Sequence, residues 1–395
     1  MRFHVVGLGA VGTLIAHHLR RTLPEGNSIA LLFKSINAAR AALWEDRVTV
    51  EENGLRIMAR GFIYGTSKVH MVSAKAKEPD IMETSEIESL FVTLKAHQTV
   101  PAIRRLAPKL SPYSTIVLLQ NGLGVYEQLI REIFIDPEQR PHFILASNTH
   151  GVYTRGHMDA VHAGRGEIRF GIVHDVRGRN YDAGFQETPK REPSLTDITP
   201  GTSDPLFIRY KSLRDTVASL LLMETLSPSW LPMEEMQIAL RRKLVVNAAI
   251  NPLTAILDCK NGDVFETPHS RSLLRRICIE AAQAFKAELR AGAEEFLENA
   301  GAGLDEDILL DRLPEGLTWQ SLEKECLRVA KVTNWNISSM LADIRAGRSS
   351  GTEIDYINGY LMELGKAHKV YMPVNSTLAQ LVRMKSNVTK GKAVL

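Results

Sequence analysis

Short apolar runs punctuate the first half of the chain, and helical periodicity fills the second. RFHVVGLGAVGTLIAHHLRR at 2–21 reads as a strand, a tight glycine turn and a helix. SIALLF at 28–33 is a second strand, and others lie within 86–96 (EIESLFVTLKA), 114–124 (STIVLLQNGLG) and 143–153 (FILASNTHGVY). Helical patterns occupy about 35–45, 97–109 and 124–134 between them. Strands alternating with helices predict a parallel sheet with helices on both faces. The stretch 46–85 interrupts that rhythm and predicts a small antiparallel addition about the turn Glu52-Asn53-Gly54. Residues 174–205 are rich in Gly, Pro, Thr and Asp, which predicts a mobile surface insertion dispensable for chemistry.

After about 206 the pattern turns helical to the end, with segments at 206–222, 236–257, 269–290, 319–330, 333–346, 352–368 and 374–386. The expected fold class is therefore an N-terminal α/β domain of the doubly wound Rossmann type followed by an all-α C-terminal domain. The boundaries are 1–230, with insertions at about 46–85 and 174–205, and 231–395.

Composition narrows the function classes. The chain has 395 residues, 44% hydrophobic and 24% charged, with a net charge of +3. That mix belongs to a globular protein with length enough for more than one core. No basic run points to nucleic acid or a membrane surface. No apolar run of about 18 residues predicts a membrane span. The chain enters a strand at once, without a signal or transit pattern, so the cytoplasm is the expected location. Cys259, Cys278 and Cys326 are odd in number and widely spaced, as expected of packing residues in a reducing compartment. His97, His150 and His162 lack metal-ligand spacing and read as ordinary strand-end or loop histidines. Trp319 and Trp335 read as core.

Gly7-Leu8-Gly9-Ala10-Val11-Gly12 follows a strand and opens a helix, which is the context a dinucleotide site requires. Gly7 permits the turn, Gly9 lets a pyrophosphate approach the backbone, and Gly12 permits close helix–strand packing. An NAD site wants an acid at the end of the second strand, for the ribose hydroxyl. Phe33-Lys34-Ser35 stands there instead, so Lys34, with Arg40 nearby, points to a 2′-phosphate and to NADPH. Lys95 and Asn121 end later strands, where a ligand crevice has its rim.

RRKLVVNAAINPLTAIL at 241–257 carries the second signal. Lys243, Asn247 and Asn251 recur every four residues, so they share one side of an otherwise apolar helix. Asn is a poor helix former, and two in such a row suggest polar heads aimed at a ligand. Pro252 follows at once and is expected to break or kink the helix.

GLGAVG, VTLKAHQ, LLQNGLG, NTHG, RRKLVVNAAINPLTAI, NISSMLADIRAG and TEIDYINGYL…P.N occur in this order. Together they resemble the 2-dehydropantoate 2-reductases, or ketopantoate reductases, over nearly the whole chain apart from roughly 46–85 and 174–205. The resemblance implies NADPH-dependent reduction of 2-dehydropantoate to (R)-pantoate, in pantothenate and coenzyme A synthesis. It implies Lys243 as general acid and Glu353 as an active-site carboxylate. It places Asn247, Asn251, Asn336 and Ser339 on the substrate, and Lys95 and Asn121 on the cofactor side. The implied partner is a small 2-keto acid, with homodimer formation left open. Another branched 2-keto acid, or a non-catalytic binding role, are the competing readings; the intact glycine motif and Lys243 speak against the latter.

Overall fold

The structure, a computed structural model, describes residues 1–66, 70–72, 81–83, 86–189, 191–300, 313–347 and 353–392. The chain divides into two compact units, Met1–Gln120 with Val125–Met236, and Asn121–Gly124 with Gln237–Leu395.

The first unit is built on β1 (Arg2–Val6), α1 (Ala10–Thr22), β2 (Ser28–Phe33) and α2 (Ile36–Glu45). Then come β3 (Val48–Glu52), β4 (Leu55–Ala59), β5 (Ile63–Thr66), β6 (His70–Val72), β7 (Ile81–Glu83) and β8 (Ser89–Val92). After α3 (Ala96–Leu106), β9 (Thr115–Leu118) and α4 (Val125–Glu132) follow β10 (His142–Asn148), β11 (Gly151–Gly156), β12 (Asp159–Gly164) and β13 (Ile168–Ile172). The unit ends with the short helices α5 (Ala183–Gln186) and α6 (Leu195–Ile198), then α7 (Phe207–Leu221) and β14 (Pro228–Trp230).

The main sheet runs β14-β13-β10-β9-β8-β1-β2-β5-β6-β7. Its centre from β10 to β5 is parallel. The strands β8 and β9 are buried along their whole length, as strands covered on both faces must be. The edges depart from the expected parallel sheet, because β13 pairs antiparallel with β10, β6 antiparallel with β5, and β7 antiparallel with β6.

The 46–85 region does more than the predicted hairpin. β3 and β4 pair antiparallel about Asn53 and Gly54, both at positive φ as a tight hairpin turn demands. They join β11 and β12 in a second, four-stranded sheet, while β5 returns to the main sheet. Residues 67–69, 73–80 and 84–85 lie outside the described residues. The run 143–153, read as one strand, is split at Thr149–His150 between the two sheets.

α1 packs against both sheets and is buried through Gly12–Leu19, His17 and His18 included. A polar chain fastens the second sheet to it. Glu52 Oε1 lies 3.1 Å from His18 Nε2 and 3.0 Å from His162 Nδ1. His162 Nε2 is 2.9 Å from His150 Nδ1, and His150 Nε2 is 3.0 Å from the Leu226 carbonyl. His150 and His162 are thus buried network members rather than ordinary loop histidines.

The 174–205 segment is likewise tied down. Tyr181, Ile198 and Thr199 are fully buried, and Arg179 pairs with Asp204 at 2.7 Å. Its polar residues satisfy one another locally, which composition alone could not disclose.

The second unit is helical. α8 (Met233–Leu257) begins with Met233–Met236 in the first unit and continues into the second. α9 (Pro268–Ala300) follows, then helices at Trp319–Val332, Ser339–Arg345, Asn358–Ala367 and Pro373–Lys392. α8 runs through Pro252 without a break. The predicted helix at 333–346 starts only at Ser339, because the Ser338 hydroxyl accepts from the Leu341 amide and caps it. Residues 353–356 form a 3-10 turn before Asn358–Ala367, in place of one helix over 352–368.

Leu244, Val245, Ile250, Phe265, Ile277, Phe285 and Leu361 anchor this unit's core. Trp319 packs against it, but Trp335 is 76% exposed, with the Lys260 ammonium 4.6 Å above its ring. Cys278 and Cys326 are buried. Among the described residues no helix is long and apolar enough to cross a membrane, and no cluster of His, Cys, Asp and Glu could hold a metal ion.

Candidate active site

The glycine turn sits where β1 ends and α1 begins. Gly7 has φ +99°, and a β-carbon there would lie 2.5 Å from the Leu94 amide nitrogen. A β-carbon on Gly12 would lie 2.2 Å from the Gly7 carbonyl oxygen and 2.5 Å from Thr93 Oγ1. Both positions therefore exclude any side chain. Thr93, at the end of β8, fixes the turn by donating from Oγ1 to the Gly7 carbonyl at 2.7 Å. Leu8 and Val11 pack against the core.

Gly9 differs from its neighbours. It is exposed, nothing lies within 4 Å of where its β-carbon would be, and no side chain caps α1 at this residue. The first turn of α1, opening at Ala10, carries no acid. An open, uncapped helix N-terminus with bare backbone suits a pyrophosphate, so these residues fit a dinucleotide.

Lys34 is exposed directly after β2. Ser35 is committed locally, accepting from the Ala38 amide as the cap of α2, and Arg40 is exposed on that helix. No acid occupies the strand end, which suits a phosphorylated ribose. Lys95 is the half-buried N-cap residue of α3, two positions beyond Thr93, and so belongs to the loop against which Gly7 and Gly12 pack.

The second group of residues lies in the helical unit. Lys243 and Asn247 on α8 are half-buried and Asn251 is buried. Asn247 and Asn251 lie one and two turns beyond Lys243 on the same helix. Glu353, at the start of the 3-10 turn, is 8% exposed and acts on the Lys243 amine through space. Burial pulls that amine down to about 8, and the Glu353 carboxylate opposes the fall. The result is a lysine poised to exchange its proton near neutral pH.

Ser339 is the first residue of its helix and is exposed. Its place relative to α8 is set by the preceding residue, because the Ser338 and Thr254 hydroxyls lie 2.7 Å apart and both are buried. Asn336 is exposed, with its carbonyl accepting from the Asn261 amide at 3.0 Å. Asn121 opens the loop that contacts the Glu353–Tyr356 turn: Leu123 donates to the Tyr356 carbonyl at 3.2 Å, and a β-carbon on Gly122 would lie 2.5 Å from that oxygen.

The structure thus gathers Lys243, Asn247, Asn251 and Glu353 within one unit and Gly7–Gly12, Lys34 and Lys95 within the other. Sequence reasoning passed over Thr93, Thr254, Ser338 and Tyr356, which hold these groups in place. Their backbone and hydroxyl contacts are long-range and leave no periodic trace.

Known proteins resemble this chain over most of its length. Residues 3–175 match the family described as "Ketopantoate reductase PanE/ApbA", and residues 235–386 match "Ketopantoate reductase PanE/ApbA C terminal". A 2-dehydropantoate 2-reductase of Shigella flexneri is 30% identical over 315 residues, covering 80% of this chain and 79% of that one. One from Saccharomyces cerevisiae is 27% identical over 408 residues, covering 99% and 96%. Among solved structures, a D-mandelate dehydrogenase with NADH and anilino(oxo)acetate has a TM-score of 0.69 at 17% identity, covering 98% of this chain and 99% of that one. A PanE/ApbA family ketopantoate reductase from Ralstonia eutropha has a TM-score of 0.66 at 18% identity, covering 99% and 100%. These two share the fold. With both of its family segments in sequence order and full-length relatives in yeast, the chain belongs to the ketopantoate reductase family.

Proposed function

We propose that the protein reduces 2-dehydropantoate to (R)-pantoate with NADPH, a step of pantothenate and coenzyme A synthesis. The observation that carries the reading is the buried Lys243 amine, at about 8, under the influence of Glu353, with Asn247 and Asn251 on the same helix face.

NADPH, when bound, supplies the hydride that reaches the keto carbon. The backbone about Gly9 and the N-terminus of α1 would receive its pyrophosphate, and Lys34 would pair with the 2′-phosphate. Lys95 and Asn121 serve the cofactor side. Lys243 stabilises the negative charge that develops on the carbonyl oxygen and donates a proton to it. A lysine near 8 is a better donor than one at 10.5 and still holds its proton at neutral pH. Glu353 keeps that proton in place until it is needed. Asn247 and Asn251 bind the substrate with neutral donors and acceptors, which adds no charge beside the lysine. Ser339 and Asn336 bind the carboxylate.

The test is NADPH oxidation followed by absorbance, with 2-dehydropantoate and a panel of branched 2-keto acids. Turnover with 2-dehydropantoate at the highest kcat/KM supports the proposal. A higher kcat/KM for another keto acid shifts the substrate, and absence of turnover with all of them overturns the enzyme reading.

A further inference from the structure

Pro252 should cost α8 a hydrogen bond. In a helix the amide of residue 252 would donate to the Ala248 carbonyl four residues back, and proline has no N–H. The structure supplies a replacement. Asn358 Nδ2 donates to the Ala248 carbonyl at 3.0 Å. Its second hydrogen goes to Asn375 Oδ1, also at 3.0 Å. Asn375 Nδ2 in turn donates to Glu280 Oε2 at 2.8 Å. Glu280 further accepts from the Val374 and Asn375 amides, at 2.8 and 3.1 Å, and so caps the helix Pro373–Lys392.

The relay is buried and its orientation is determined. Asn358 and Asn375 are fully buried and Glu280 is 6% exposed. Both partners of Asn358 are acceptors, so its nitrogen must face them. Its Oδ1 is then left buried, with no partner among the described residues. An orphaned buried oxygen is destabilising, and an apolar residue of similar size would avoid it. What asparagine supplies at this position is its nitrogen. Asn358 and Asn375 both fall in the TEIDYINGYL…P.N stretch, to which the catalytic reading assigned only Glu353.

The geometry points to Asn358 as a positioning residue for the reaction: it replaces the N–H that Pro252 lacks, and so sets the path of α8 between Asn247 and Asn251. The Ala248 carbonyl lies one residue after Asn247 and three before Asn251. Holding it fixes the direction in which both amides meet the substrate. Pro252 prevents the helix from closing on itself there, and the relay anchors the released carbonyl to α9 and the C-terminal helix. This inference rests on the reading of Asn247 and Asn251 as substrate-holding groups.

The experiment is a double-mutant cycle of Asn358→Leu and Pro252→Ala in the full chain, read by thermal melting, NADPH titration and steady-state kinetics. Asn358→Leu is expected to raise the KM for 2-dehydropantoate about tenfold, the effect of one buried hydrogen bond, with NADPH affinity unchanged. Adding Pro252→Ala restores a backbone N–H to the Ala248 carbonyl and is expected to recover most of both the KM and the melting temperature. Independent, additive effects of the two substitutions would overturn the proposal, as would equal losses toward substrate and NADPH. If Asn358→Leu fails to fold, a folded double variant supports the relay and an unfolded one overturns it. Wild-type protein without turnover on any keto acid would sink the functional reading alone; the melting cycle then decides whether Asn358 stands in for the missing N–H.

Discussion

The Glu353 carboxylate raises the proton affinity of the Lys243 amine, yet burial outweighs it and leaves the lysine at about 8. A group in that position has a pH signature. As the proposed proton donor, Lys243 acts only when protonated, so kcat/KM should be level below about pH 8 and fall above it. Glu353→Gln removes the opposing influence and should move this limb to lower pH. A profile without an alkaline limb, or a limb that Glu353→Gln leaves in place, would count against the pair.

The same burial has a stability consequence. The folded value lies below the unfolded value of 10.5, so the cost of burying the cation is present below about pH 8 and is relieved as pH rises toward 10.5. Lys243→Met should therefore melt higher than wild type at pH 7, with the gap closing toward pH 10. Equal melting temperatures throughout would show that the amine is well solvated.

Lys243→Ala should lower kcat about 10²- to 10⁴-fold, the usual scale for a proton donor that also stabilises an oxyanion. NADPH titration should be unaffected. Asn251→Ala should act mainly through the KM for the keto acid, with some loss of kcat where the substrate tilts. Near-normal turnover in folded Lys243→Ala would return Lys243, Asn247 and Asn251 to the status of helix surface.

Cofactor choice can be tested at two positions. Lys34→Asp should weaken NADPH far more than NADH, by about 1.5–3 kcal/mol for a charge-assisted contact. Equal effects on the two would remove the 2′-phosphate contact. Gly12→Ala would bring a methyl group to 2.2 Å from the Gly7 carbonyl oxygen, so the turn must open. Binding of NADPH, followed by fluorescence titration, should be lost or greatly weakened, and an unchanged affinity would mean that the turn adjusts without cost.

The 174–205 segment calls for a revised expectation. Asp182, 7% exposed, accepts from the Met233 amide at 3.1 Å at the start of α8. Asp182→Ala should destabilise the fold by about 1.5–3 kcal/mol, the scale of a hydrogen bond to a charged group. Deleting 176–203 should cost more, because Tyr181 and Ile198 leave the core as well. Urea unfolding with no change on deletion would show the segment to be dispensable after all.

Local patterns in the chain determined a good part of this. The glycine turn was legible because a strand, three glycines and a helix are adjacent in sequence, and steric need ties them to a single geometry. Lys243, Asn247 and Asn251 were legible because helical period alone puts them on one face. The absence of an acid after β2 was legible because Lys34 and Ser35 follow the strand directly in sequence. Tertiary structure decided what depends on distant partners. The second sheet brings β3 and β4 to β11 and β12 across a hundred residues, which no short-range pattern encodes. The value near 8 for Lys243 needs both the packing about α8 and Glu353, 110 residues away. Pro252 illustrates the division best. Sequence predicted a broken or kinked helix, since it shows only the missing N–H; the fold brings the Asn358 nitrogen to the vacant carbonyl, and α8 continues to Leu257.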